Sequence, residues 1–576
     1  MASAKQRRVE RSRAMPGKPP SSGGPAPEAL LVGRRGLLLL GTLTFLTLLP
    51  FTGKAFHIDD PMYLWAAKQI QSKPLDPYGL EVNWYGSPMR MSDVNKNPPL
   101  TSYYIAGVAR VFGWGERALH LAFLIPAVVV IIGTYLLAER LCRRPLLAGF
   151  CTLLTPVFLV SSTNVMSDML MLAFWVSAVY LWITGMMKNS AWRLLASGVL
   201  IALSALAKYY GMALIPLLFL YSLFKKRRPT WALAYLLVPI CVLAAYQWAT
   251  HELYGRGLLL DAASYATNLP SQWGKWSIAK LLIGLAFTGG CLGAVWVFTL
   301  WTWPRWTWLV GAAIAGTVLV TVVATHTIGG RAMRVGGENV WMAAALLGVF
   351  TTGGLGVLVL GVQNLVGRRD PESWLLGLWV LGTFAFAAGV NWTTSGRSVL
   401  PMVPAAAILI ARRVEAGRRN EALNMRRTAA VGVLSAVLAV GVAWADLAYA
   451  NSARVAARRI HEKYTGKTHT LRFEGHWGFQ YYMEALGAKP VDVSAAYLDI
   501  GDILIVPGNN TNVYRPNEDS SVLVETIEVP SSRWIATMRS DLGAGFYFDG
   551  IGPLPFAVGR VPPEQYHVFL ITPQRK

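Results

Sequence analysis

Acidic side chains and cysteine are both scarce in this chain. There are 31 Asp and Glu against 53 Lys and Arg, and only 4 cysteines in 576 residues. Cys142, Cys151, Cys241 and Cys291 all lie in or beside apolar runs. None lies after Cys291, so a disulfide cannot staple the C-terminal part. Neither Cys-x-x-Cys nor His-x-His spacing occurs, so no metal-ligand motif is legible, and the thiols read as small packing residues. Charge of either sign is thin as well, at 15% of residues against 54% hydrophobic. A soluble chain of this length would expose more charge, so the composition excludes an ordinary soluble globule.

Long apolar runs fill the space that charge leaves. A run of roughly 20 apolar residues crosses a hydrocarbon core. The pattern predicts a mainly α polytopic membrane protein with about 13 spans, from Leu37–Phe51 and Ala118–Ala138, through Leu146–Ser161 and Met169–Gly185, to Val399–Ala411 and Ala429–Asp446. Leu37–Pro50 has no small-residue cleavage site and reads as the first span, not a signal peptide. The net charge of +22 is not spread at random. Basic clusters at Arg7–Arg13, Arg140–Arg144, Lys225–Arg228, Arg368–Arg369 and Arg412–Arg427 recur where an even number of crossings puts them. They therefore read as cytoplasmic orientation signals and anionic-lipid contacts, not as a nucleic-acid surface.

Three regions follow. Residues 1–34 are basic and then rich in Pro, Gly and Ser, which predicts a disordered cytoplasmic tail. Residues 35–449 form the membrane domain. Residues 450–576 return to soluble composition, with strand-like stretches at Asp502–Val506, Val522–Ile527 and His567–Ile571 and a helix near Tyr481–Leu486, which predicts a small α/β domain. An odd span count places it outside the cytoplasm. No internal repeat is visible. The external loop 52–117 carries two apolar stripes, Met62, Trp65, Ala66, Ile70 and Leu100, Tyr103, Tyr104, Val108, Val111. Both suggest amphipathic helices lying on the membrane surface.

The scarcity of acid makes each one informative. Asp60-Pro61 suits the start of the first loop helix, so Asp60 is either a cap or a functional acid. Asp59 has no capping duty. It is either a solvated loop acid or a base that takes a proton from a hydroxyl. Asp168 is the only acid between Glu139 and His251, at the external end of the fourth span, and caps a helix or has a charged partner there. Lys96, Lys208 and Arg397 lie on the same predicted face. They are headgroup-level cations or partners for a phosphate. His57, Tyr63 and Asn97 read as positioning groups. His251, Glu252, His326, Arg331, Arg334 and Glu338 fall in other external loops without metal-like spacing. The aromatics of Phe473–Met483 are a small core or a carbohydrate-facing surface.

Four elements in order resemble the integral-membrane glycosyltransferases of the protein O-mannosyltransferase and aminoarabinose-transferase type, in particular the bacterial family 39-like branch. They are Asp59-Asp60 after the first span, Lys96-Asn97-Pro98-Pro99-Leu100 in the same loop, Asp168 opening the fourth span, and Arg397-Ser398-Val399-Leu400-Pro401. The resemblance covers roughly residues 35–415. It departs from the family in having Asp-Asp where Asp-Glu is frequent, and Asn97 between the lysine and the prolines. It implies a GT-C fold, a polyprenyl-phosphate sugar donor, a lipid, polysaccharide or protein acceptor, and inverting transfer at the external face of the bacterial cytoplasmic membrane. Asp59 would be the base, Asp168 its helper, and Lys96, Lys208 and Arg397 the phosphate holders. No cofactor is expected, a divalent cation being the alternative. Competing readings are a flippase of lipid-linked sugars, against which the near absence of charge within the spans argues, and a non-catalytic envelope scaffold.

Overall fold

The computed structural model describes residues 33–300, 303–416, 421–466, 470–495 and 498–574. The tail expected over residues 1–34 lies almost wholly outside them. Among the described residues the chain is mainly helical, and 8 helices are long and apolar enough to cross a membrane. They include Glu116–Leu141, Ser167–Lys188 and Pro371–Val390. Ala191–Ala207 and Ile278–Leu292 are apolar but shorter. The run expected at Val399–Ala411 is helical over Val403–Ala416, and a further apolar helix covers Leu214–Lys226.

Leu146–Ser161 is not one straight span. It is the pair Pro145–Leu153 and Pro156–Ser162, bent by 64°. Pro156 removes a backbone donor, and the Thr155 hydroxyl caps the second piece by accepting from Phe158 N–H at 3.4 Å. The bend turns the chain so that Thr163 and Asn164 end beside Lys54.

The two loop helices are Asp60–Ser72 and Leu100–Phe112, and they pack together. The first turns most of its apolar stripe into the protein. Met62, Tyr63, Leu64, Ala66, Ala67 and Ile70 are buried in protein. The second buries the small face of Thr101, Ser102, Ile105, Ala106 and Ala109 and leaves Val111 and Phe112 exposed. Small residues allow close approach, while of the bulky stripe Tyr103 and Val111 are exposed and Leu100, Tyr104 and Val108 are half-buried against the core.

The final apolar helix runs unbroken from Glu421 to Tyr464, through the position read as a domain boundary at Tyr449. No proline interrupts it, and Gly466 at φ +78° supplies the stop. Its end packs Ala456, Ala457 and Ile460 against Phe473, Phe479, Ile505 and Val568. Beyond it lies a five-stranded sheet. Its order is Lys489–Pro490, Leu471–Phe473, Ile503–Pro507, Glu564–Ile571, Ser521–Val529. The first three strands pair in parallel and the last three antiparallel, with a bulge at Val568/Phe569. The helix Trp477–Ala485 covers it. The segment 535–558 is different, because Met538, Leu542, Phe546 and Phe556 share the core of the membrane helices.

Candidate active site

Asp59 sits where the loop turns into the helix Asp60–Ser72. The turn holds Ile58 at φ +46°, a conformation that β-branched side chains avoid and that functional sites often retain. Its carboxylate meets the Arg397 guanidinium, Oδ2 to Nη1, at 2.5 Å. The Nε of the same guanidinium meets Asp168 Oδ2 at 2.7 Å, and Asp168 Oδ1 meets Lys208 Nζ at 2.6 Å. Four residues far apart in sequence thus form one chain of alternating charge, Asp59–Arg397–Asp168–Lys208, with no formal net charge. Only the planar fork of arginine can hold two carboxylates at fixed geometry in this way.

The members differ in access. The Asp168 side chain is 2% exposed, whereas Asp59 is 24% and Lys208 21% exposed. Asp59, Lys208 and Arg397 border a cavity of about 1420 Å³, and Asp168 is not among its lining residues. Part of its lining is aromatic, with Tyr85, Tyr265 and Trp392. Toward the membrane helices it is apolar, with Met171, Leu217, Leu243 and Trp379. The volume exceeds the roughly 300–1,000 Å³ of ordinary small-molecule pockets.

Several expectations change. Lys96 lines the cavity but is paired with Asp261 at 2.6 Å, so it stands apart from the four-residue chain. Asn97 also lines it, and its carbonyl accepts from Tyr78 O–H at 2.6 Å. Tyr63 is buried with its hydroxyl 2.9 Å from that of Ser167, which ties the loop helix to the start of the Asp168 helix. His57 does not face the cavity. Its Nε2 lies 3.6 Å from Asp446 Oδ1. Asp60 makes no side-chain cap for its own helix. It is wholly buried and accepts from His57 N–H at 2.8 Å and Val165 N–H at 2.9 Å. It thereby joins the Asp59 turn to the loop before Asp168. Of the acid pair, one residue faces the cavity and the other is internal.

Burial pushes the Asp60 carboxyl up to about 7, against the two N–H donors and Lys54, which favour its ionised form. The folded protein therefore binds more protons at Asp60 than the unfolded chain between about pH 4 and 7, and stability falls as pH rises through that window, by on the order of 4 kcal/mol at most. Thermal unfolding in nanodiscs across this range is expected to show that slope. Asp60→Asn is expected to flatten it. An unchanged slope in the variant would assign it to other groups.

Two buried ion pairs lay outside the sequence reading. Lys54 and Asp446 are both fully buried, with Nζ–Oδ2 at 2.5 Å. Lys280 and Asp549 pair at 2.7 Å, with side chains at most 2% exposed. Asp549 also accepts from Thr393 O–H at 2.7 Å and Thr394 N–H at 2.9 Å, while Phe546 C=O accepts from Gly396 N–H at 2.7 Å. The C-terminal region thus holds the segment that presents Arg397. Lys280 within an apolar run and Asp446 at the end of another were the available signals, since ionisable groups at membrane depth are costly and rarely incidental. The spans are less free of charge than the composition implied. Among the described residues, no group of three or more His, Cys, Asp or Glu is placed to hold a metal ion.

Residues 96–251 match the family described as dolichyl-phosphate-mannose-protein mannosyltransferase. That stretch holds Lys96, Asp168 and Lys208. No curated protein matches the chain. Among solved structures, the Archaeoglobus fulgidus oligosaccharyltransferase tethered with an acceptor peptide is similar at 12% identity and a TM-score of 0.48, covering 80% of this chain and 64% of its own. The chain therefore spans less than two thirds of that enzyme's length. ArnT from Cupriavidus metallidurans bound to undecaprenyl phosphate is similar at 13% identity and a TM-score of 0.43, covering 84% of this chain and 94% of its own. The S. cerevisiae protein O-mannosyltransferase complex bound to its sugar donor covers 42% of this chain at 18% identity and a TM-score of 0.30. The chain is thus similar to glycosyltransferases of the protein O-mannosyltransferase type.

Proposed function

We propose that this chain is a membrane glycosyltransferase of GT-C architecture. It moves a sugar from a polyprenyl-phosphate donor to an acceptor hydroxyl, with inversion, at the external face of a bacterial cytoplasmic membrane. About 13 membrane-embedded helical segments would carry the site, with the N-terminus cytoplasmic and the C-terminal domain outside. The observation that carries this reading is the Asp59–Arg397–Asp168–Lys208 chain at the edge of a large cavity lined mostly by apolar side chains.

The chemistry follows from the arrangement. The apolar walls suit the isoprene units next to the phosphate, and Arg397, Lys208 and Lys96 supply cations where it would lie. A phosphate is a reasonable leaving group as its anion, so it needs charge neutralisation more than a proton. A phosphodiester drawn to Arg397 competes with Asp59 for the guanidinium and loosens that contact, which leaves the Asp59 carboxylate to accept the proton of an acceptor hydroxyl. Asp168 stays behind and keeps Arg397 and Lys208 in place.

Sugar release from polyprenyl-phosphate donors by purified protein in nanodiscs tests this. Asp59→Asn keeps the size of the side chain but cannot act as a base, and is expected to lower turnover at least ~100-fold with an unchanged unfolding profile. Turnover that survives would remove Asp59 from the mechanism. Donor binding without turnover in the wild type, with every acceptor class tried, would favour the flippase or the scaffold. The acids at the site already have cationic partners, so transfer is expected to continue after treatment with a chelator. Loss on chelation, restored by a divalent ion, would overturn that expectation.

A further inference from the structure

One wall of the cavity comes from the C-terminal region. It includes His476, Trp477, Thr511, Asn512, Tyr547 and Phe548. Two of these hold a left-handed backbone, Trp477 at φ +66° and Asn512 at φ +53°, which asparagine tolerates and tryptophan avoids. A bulky aromatic residue in that region is a rare exception, and such conformations persist where the surrounding structure imposes them. The constraint is visible here. The Asn510 amide accepts from His476 N–H and donates to His476 C=O, both at 3.1 Å, clamping the residue before Trp477. On the other side Gly478 lies so close to the chain that an added Cβ would stand 2.1 Å from Phe56 C=O. Trp477 is thereby fixed against the turn that carries Asp59.

His476 is 4% exposed, and its ring lies 4.7 Å from that of Trp84, another lining residue. Its Nε2 is 3.0 Å from the Thr511 hydroxyl, while its buried Nδ1 has no protein partner. Burial holds the imidazole neutral, its pKa lowered to about 3. This wall therefore offers aromatic faces, an amide and a hydroxyl beside a buried, neutral imidazole, without formal charge. The cations border the same cavity through other elements. An uncharged group with one apolar face and several hydroxyls matches the first set, as a phosphate matches the second.

We propose that His476, Trp477 and Asn512 form a saccharide subsite that holds the sugar ring of the lipid-linked donor. This rests on the transferase reading above and assigns the C-terminal region a part in recognising the donor. The neighbouring aromatics divide accordingly, since Phe473 and Phe479 belong to the domain's own core and Trp477 to the cavity.

The test compares affinities of purified protein in nanodiscs for bare undecaprenyl phosphate and for the same lipid bearing mannose, glucose or arabinose. Asn512→Gly is the main variant, because glycine adopts φ +53° freely and the fold should be no less stable. Trp477→Phe is the second. Wild type is expected to bind at least one sugar-bearing lipid ~10-fold more tightly than the bare lipid, the scale of one or two well-made polar contacts. Both variants are expected to lose most of that preference while binding bare lipid as wild type does. Retention of the preference in both, or no sugar preference in wild type, overturns the subsite. Failure of wild type to bind even bare undecaprenyl phosphate is a different result and overturns the transferase reading itself.

Discussion

Replacing Arg397 with lysine is expected to lower kcat/KM for sugar transfer by at least ~100-fold, although the charge is kept. The arginine reaches Asp59 through Nη1 at 2.5 Å and Asp168 through Nε at 2.7 Å. A single ammonium cannot hold both at those positions, and Lys208 already occupies the other oxygen of Asp168. In the proposed reaction the variant therefore loses the contact that would link proton removal to phosphate binding. The double variant with Asp59→Asn is expected to be little worse than the poorer single one, because both act on one contact. Full additivity in the cycle, or near-normal transfer by Arg397→Lys, would refute a shared role.

The second large effect is on stability. Lys54→Met is expected to destabilise the protein by about 3–5 kcal/mol, read as a fall in unfolding temperature in nanodiscs, because it leaves the Asp446 carboxylate buried without its cation. Lys54 Nζ also donates to Asn164 Oδ1 at 2.5 Å, and Asp446 accepts from Thr537 O–H at 2.9 Å and Tyr547 O–H at 2.8 Å. One pair thus ties together the loop 52–117, the bend before Asp168, the last apolar helix and the C-terminal region. Adding Asp446→Leu to Lys54→Met is expected to recover a substantial part of the loss, since it removes the uncompensated charge. A single variant as stable as wild type would show that solvent reaches the site.

How far the site was legible depends on what each residue reports locally. The helix beginning at Asp60 and the strands near Ile503, Ser521 and Glu564 follow from short-range periodicity, and the structure has them there. The bend at Pro156 was also written locally, but one apolar run either side of a proline reads as a single span. Asp60 misled for a related reason. An Asp before Pro at a helix start suits a cap, yet its oxygens go to His57 N–H and to Val165 N–H, the latter 105 residues away.

The sequence by itself determined that this is a polytopic membrane protein with a strand-containing C-terminal part, and it singled out Asp59, Asp168, Lys208 and Arg397. Hydrophobic length and the rarity of acid are properties of the chain that need no partner to be read. Only the tertiary structure decided which charges meet. It joined the four into one chain, sent Lys96 to Asp261, drew His57 to Asp446, and set Trp477 on the cavity wall. An ion pair is a matter of a few ångströms between side chains hundreds of residues apart, and no local pattern encodes that separation.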